Sequence, residues 1–178
     1  MPAATIYTIG HSTRDLADFS AALQAHGIRL LADIRAFPMS RRLPHFNRER
    51  LELWLPEVGL EYAWMKDLGG RRKKTLAESP NVALRNDSFR NYADYMLSEQ
   101  FQAAAAELVA RAESHPTAIM CAERVYFQCH RMLVSDYLTA HGHKVLHIDS
   151  AKPPREHLLM KEARLMDGRL LYIGDRIF

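Results

Sequence analysis

Five short apolar runs, each separated from the next by a stretch with helical spacing, constrain this 178-residue chain more than any other feature. Ile6–Ile9, ending in Gly10, reads as a buried strand, as do Leu30–Ile34, Leu60–Met65, Thr117–Cys121 and Lys144–Ile148. After the first run, Leu16, Phe19, Ala22 and Leu23 share one helical face, and Gly27 ends that helix. Asn47 suits the cap of a helix running to about Val58, with Gly59 as its stop. Alanine content and spacing predict helices over 88–97 and 99–112, and another over 129–140 that stops at Gly142. Past Pro153 and Pro154, a last helix is expected over about 156–166, then an Asp167-Gly168 turn into a strand from Arg169. Strands that alternate with helices need crossovers, and crossovers make a parallel sheet covered on both faces. The expectation is a single three-layer α/β domain over residues 1–178, with a mainly parallel sheet of about five strands. Handedness leaves a few doubly wound topologies open, and the pattern does not order the strands.

Composition narrows the class. A hydrophobic share of 48% and a charged share of 25% suit a globular chain with a buried core. No apolar run is long enough to span a bilayer, and the first residues lack the basic and apolar regions of a signal peptide, so a cytoplasmic protein is expected. Cys121 and Cys129 do not make a disulfide framework; in a reducing compartment they read as thiols, metal ligands or inert core residues. The net charge of +3 is small but uneven: residues 29–74 carry eleven Lys and Arg against six Asp and Glu. That local excess suits a small anionic ligand or nucleic acid. Residues 69–87 form a polar, basic stretch expected to be a mobile loop.

The polar residues fall at one end of the predicted strands. In a parallel sheet, ligands bind outside the carboxyl ends, near a reversal in strand order. The first strand ends in Gly10-His11-Ser12, the second carries Asp33 and Arg35 and runs on to Ser40 and Arg41, and the third delivers Lys66, Asp67 and two glycines. The fourth delivers Cys121, Glu123 and Arg124, and the fifth His147 and Asp149. Ser12 or Thr13, followed by Asp15, suits a helix cap; the same turn also offers backbone N–H groups to an anion. It lacks the full glycine pattern of a dinucleotide fold, and there is no Walker lysine. Asp33 and Arg35 point to one face, where they pair with each other or face a ligand. Arg41 and Arg42 read as a solvated turn or as guanidinium forks for phosphate, with Phe37, Phe46 and Trp54 nearby as core or as stacking surfaces.

The richest segment is Cys121-Ala-Glu123 followed by Cys129-His130-Arg131. A thiol at a helix start, beside Arg131, is expected to ionise more readily. Three chemistries stay open: a nucleophilic or redox thiol with the second cysteine as partner; a metal site from Cys121, Cys129, His130 and His11 or His147; or buried, inert thiols with function on Glu123, His130 and Arg131. A phosphatase loop is excluded, because Phe127 stands where its arginine is needed.

These segments together resemble the DUF488 family, whose function is unassigned. The carriers are Thr8-Ile-Gly-His-Ser12, Asp33-Ile-Arg35 with Pro38-Met-Ser40-Arg41, Leu68-Gly-Gly70, Tyr92-Ala-Asp-Tyr-Met96, Cys121-Ala-Glu123, Cys129-His-Arg131, His147-Ile148 and Ala163 to Tyr172. The resemblance covers nearly the whole chain. It implies an α/β fold and a polar set comprising His11, Ser12, Asp33, Arg35, Ser40, Cys121, Glu123, Cys129, His130, Arg131 and His147.

The leading expectation is an enzyme, a hydrolase or transferase, acting on a small phosphate-bearing ligand such as a nucleotide or nucleic-acid fragment. Arg35, Arg41 and Arg131 would hold the anion, Glu123 and His130 would move protons, and a cysteine would attack. His11 joins the catalytic set; Ser12, Asp33, Ser40 and His147 join the binding set. The sequence requires no cofactor. Two alternatives stand beside this one: a non-catalytic nucleic-acid-binding module, and a thiol-redox or sulfur-transfer protein using Cys121 and Cys129.

Overall fold

The computed structural model describes residues 3–174. Its main sheet has five parallel strands, β1 (Thr5–Gly10), β2 (Leu30–Asp33), β3 (Glu61–Trp64), β4 (Thr117–Cys121) and β5 (Lys144–Ile148). A two-residue strand, β6 (Arg155–Glu156), adds antiparallel to β5, and the spatial order is β3-β2-β4-β1-β5-β6. The central strand β4 is buried at every residue, which is why it reads as an unbroken apolar run rather than an alternating one.

Among the described residues, five α-helices cover the two faces: α1 (Leu16–Ala25), α2 (Arg48–Trp54), α3 (Asp87–Tyr95), α4 (Glu99–Ser114) and α5 (Arg131–Ala140). The connections out of β1 and β2 move toward the β3 edge; those out of β3 and β4 move the opposite way. Right-handed crossovers therefore send the two sets to opposite faces. The cores show this partition. Phe19, Leu23 and Leu51 of α1 and α2 pack on Leu31, Ala118 and Met120. Tyr92, Phe101 and Leu133 of α3, α4 and α5 pack on Ala32 and Ile119 from the other side. Neighbouring strand residues thus serve different cores, as a period of two requires.

Several local expectations are corrected. Asp15, not Ser12 or Thr13, caps α1, accepting from Asp18 N–H at 2.7 Å. Asn47 precedes α2 but makes no side-chain cap, because its Oδ1 accepts the backbone N–H of Ser40 instead. Helix α2 also ends early, at Trp54, and a 3-10 turn carries the chain to Gly59, whose φ of 79° suits glycine. Helix α5 begins at Arg131, so Cys129 stands two residues before it in extended backbone.

The expected helix over 156–166 is absent. That stretch holds β6, an irregular segment and the first strand of a hairpin, β7 (Ala163–Met166) with β8 (Arg169–Tyr172). Its residues favour helix locally, but tertiary partners take the backbone donors: His157 N–H bonds to Val145 O, and Met160 N–H to Asp136 Oδ1. Asp167 and Gly168, with φ of 52° and 76°, make the tight turn that two-residue hairpins require.

The stretch over 69–86 has no regular structure, as expected, yet it is pinned. Arg72 lies 3.7 Å over the ring of Tyr95 and donates to the carbonyls of Gly69 and Lys66. Asn81, fully buried, donates to Asp94 and accepts from Tyr172 N–H. Among the described residues, no helix is long and apolar enough to cross a membrane.

Candidate functional site: a dithiol crevice between β2 and β4

The chain leaves β2 toward one edge of the sheet and leaves neighbouring β4 toward the other. Their carboxyl ends part, and a crevice of about 450 Å3 opens there. Arg35 to Phe37 and Met39 line it from the β2 side; Cys121 to Glu123 and Gln128 to His130 line it from the β4 side. Gly70 and Arg71 come from the loop after β3, and Phe89 and Tyr92 from α3. The β1 end fixes the turn after Cys121 through main-chain bonds, His11 N–H to Cys121 O at 2.9 Å and Ser12 N–H to Ala122 O at 3.0 Å. Gly10 permits this approach: a Cβ there would lie 1.8 Å from Glu123 O.

The two sulfurs are 2.8 Å apart, and both cysteines are free. Cys121 is buried; Cys129 is partly exposed to the crevice. Burial, and then the hydrogen bond and charge shared with Cys129, push the Cys121 thiol well above its usual range. The Cys129 thiol is lowered to about 7: the Cys121 S–H bond stabilises its thiolate, burial opposes, and the Arg131 charge and backbone N–H at 3.4 Å help. The raised member of the pair is therefore Cys121, and the lowered member is Cys129, which is part thiolate at neutral pH. The start of α5 lies beside it and favours the same charge.

His130 follows immediately. Its Nε2–H donates to Ile34 O at 2.8 Å, and burial lowers its pKa to about 4, so the imidazole is neutral and Nδ1 carries the lone pair. That nitrogen faces Gly70, where a Cβ would come within 2.8 Å. The Leu68-Gly-Gly70 segment thus makes room for the ring. Glu123 stands exposed on the rim.

Arg35 and Asp33 do pair, as their shared face allows. Arg35 Nε and Nη2 hold both Asp33 oxygens at 2.9 and 2.7 Å, and Nη2 also reaches Phe46 O. Tyr62 O–H donates to the same carboxylate. Arg35 Nη1 donates to His11 Nε2 at 3.4 Å. His11, lowered to about 4 by burial, is neutral; its Nδ1–H donates to Ser12 O and its ring stacks on Phe46 at 4.4 Å. Arg131 is 1% exposed, and its Nη2 binds the carbonyls of Glu123 and Arg124. It ties the turn after β4 to the start of α5, which is what sets the two thiols side by side.

The remaining expected residues lie elsewhere. Ser40 shapes the turn before α2, accepting from Leu43 N–H, and Arg41 is exposed on that turn. Ser12, with φ of 49°, holds the β1 end through its backbone. His147 belongs to a buried chain whose direction is fixed by its ends. Arg131 can only donate, so Thr8 Oγ1 accepts from it at 3.3 Å and gives its own proton to His147 Nδ1 at 2.6 Å. His147 Nε2–H then donates to His157 Nδ1, and His157 Nε2–H to Asp136. Tyr172 O–H completes the carboxylate. Thr8, Asp136, His157 and Tyr172 were missed as polar partners; an Asp among the apolar residues of a helix was the one available signal.

Among the described residues, no group of three or more His, Cys, Asp or Glu side chains is arranged to hold a metal ion. Both His147 nitrogens and His130 Nε2 are engaged by protein atoms.

Comparison with known proteins returns no match among curated proteins or solved structures. A family model does match, over residues 15–138, and its description is a domain of unknown function, DUF488. The matched span includes β2, β3, β4 and both thiols, and leaves the Thr8–Ser12 and His147 segments outside. On that match, the chain belongs to the DUF488 family.

Proposed function

We propose that this chain is a thiol-dependent enzyme that reduces or exchanges small anionic disulfides in the β2/β4 crevice, with Cys129 as nucleophile and Cys121 as resolving thiol. One observation carries the reading: a thiol lowered to about 7 opens onto a cleft with a second, protonated thiol 2.8 Å away. Cys129 Sγ attacks one sulfur of R–S–S–R′; the S–S bond breaks and R′–S⁻ leaves with the bonding pair. Forming the mixed disulfide removes the thiolate that held the Cys121 proton. Cys121 then loses that proton to R′–S⁻ and attacks Cys129 Sγ, releasing R–S⁻. The substrate gains two electrons, the cysteine pair loses two, and two equivalents of a cellular monothiol return the pair to its reduced form by the reverse exchange, leaving as their own disulfide. Such a cycle suits a reducing, cytoplasmic compartment.

The anionic character rests on Arg71, whose guanidinium lies 5.7 Å over the Phe37 ring where both line the crevice. Arg35 and Arg131, by contrast, are engaged with Asp33 and with backbone carbonyls. The test is the rate of iodoacetamide alkylation across a pH series. Cys129 should react first, with a midpoint near 7, and a Cys129→Ser variant should lose that phase. A midpoint near the free-thiol value of about 8.5, at free-thiol rates, would overturn the reading.

A further inference from the structure

The segment that carries Cys129 is also the wall of a second cleft. On its other side, about 380 Å3 of space lies between the Arg124–Phe127 stretch and the residues from His147 to Arg155. Arg124, Arg131, Lys152 and Arg155 line it, and among the described residues its lining holds one carboxylate, Asp149. That carboxylate is already taken: Arg124 holds it at 2.9 and 3.2 Å, and Arg14 reaches it at 3.5 Å. Lys152 and Arg155 are exposed. The positive excess is felt nearby, since burial and the charges of Arg124 and Arg131 together depress the Arg14 guanidinium.

One further observation points to a ligand. The wall of the cleft is flat and aromatic. Tyr126 lies on His147 at 3.7 Å with the rings 3° from parallel, and Phe127, 55% exposed, stands edge-on to Tyr126. An exposed aromatic ring beside unneutralised cations is the surface that nucleotide-like ligands use.

We propose that this cleft binds a phosphate-bearing small molecule, with Lys152 and Arg155 on the phosphate oxygens and Phe127 under a flat ring. The site is separate from the thiol crevice and does not depend on thiol chemistry. The experiment is calorimetric titration of the intact chain with inorganic pyrophosphate and with ADP at low ionic strength. Both should bind, ADP more tightly, and both should weaken as salt rises. A Lys152→Ala/Arg155→Ala double variant should lose at least about tenfold for both ligands, because charge-assisted bonds to phosphate are lost. Phe127→Ala should weaken ADP alone, by a few-fold, and Cys129→Ser should bind both as the wild type does. All these positions are exposed or partly exposed, so the fold is expected to persist. Absence of binding by both ligands, affinities unchanged in the double variant, or ADP binding no more tightly than pyrophosphate would each overturn the proposal.

Discussion

Two polar regions flank Arg131, and they solve opposite problems. On one side, the crevice leaves the Cys129 thiol, lowered to about 7, partly open to solvent with a second sulfur 2.8 Å away. On the other, the chain from Thr8 through His147 and His157 to Asp136 is buried, and each side chain along it has a partner. Burying polar groups is costly unless they are paired. The paired chain meets that cost and holds the β5 side of the sheet to α5 and the hairpin. The crevice leaves the Cys129 thiol incompletely enclosed, and stability alone gives no reason to keep it so. Burial of a histidine or an acid is therefore weak ground for a catalytic role, and an accessible nucleophile beside a donor is better ground.

The largest expected effect separates the regions most sharply. Cys129→Ser should abolish the fast alkylation phase and disulfide exchange, a loss of about 100-fold or more in thiol reactivity, with no change in melting temperature beyond a few degrees. Retention of exchange in that variant would remove the crevice from the chemistry. Asp136→Asn should do the reverse. It leaves His157 without its carboxylate inside the core and should cost about 3 kcal/mol in denaturant unfolding. The alkylation midpoint of Cys129 should stay near 7; an upward shift would show that the buried chain tunes the thiol through Arg131, and the two regions would then be one.

Acid titration addresses His147 of the buried chain together with His11, which lies outside that chain beside Arg35. Burial lowers His11 to about 4 and His147 to about 3, below the ordinary value of 6.5. A depressed group contributes its full stability above the unfolded value, and loses it as pH falls from 6.5 toward the folded value. Between those limits the unfolded chain binds more protons, so stability falls with falling pH, by on the order of 2 kcal/mol per histidine near pH 4.5. A flat unfolding free energy across that window would show that these histidines are not held neutral. Cys121→Ala is the smallest and most local change. Without the S–H donor, the Cys129 midpoint should rise by about one unit toward the ordinary thiol value, a drop of roughly fivefold in alkylation rate at neutral pH.

How far the sequence reached can be judged from particular residues. Unbroken apolar runs such as Thr117–Cys121 announced strands buried on both faces, and the order of strands and helices announced crossovers. A period of two put Asp33 and Arg35 on one face, and left open whether they pair or face a ligand; the structure has them paired. The stretch over 156–166 was misread because its residues favour helix, while bonds to Val145 and Asp136, far away in the chain, hold it open. Asn47 was misread for the same reason, its cap oxygen being diverted to Ser40.

By itself, then, the sequence determined the α/β architecture, the carboxyl-end clustering of polar residues and the presence of two thiols near a helix start. These are set by local pattern and chain direction, which neighbours along the chain are enough to fix. Only the tertiary structure decided which arginines are engaged, which histidines are neutral, and that Cys121 and Cys129 meet. Those outcomes depend on distances between segments far apart in sequence, and on the loss of water around them, and neither is written in any one stretch of residues.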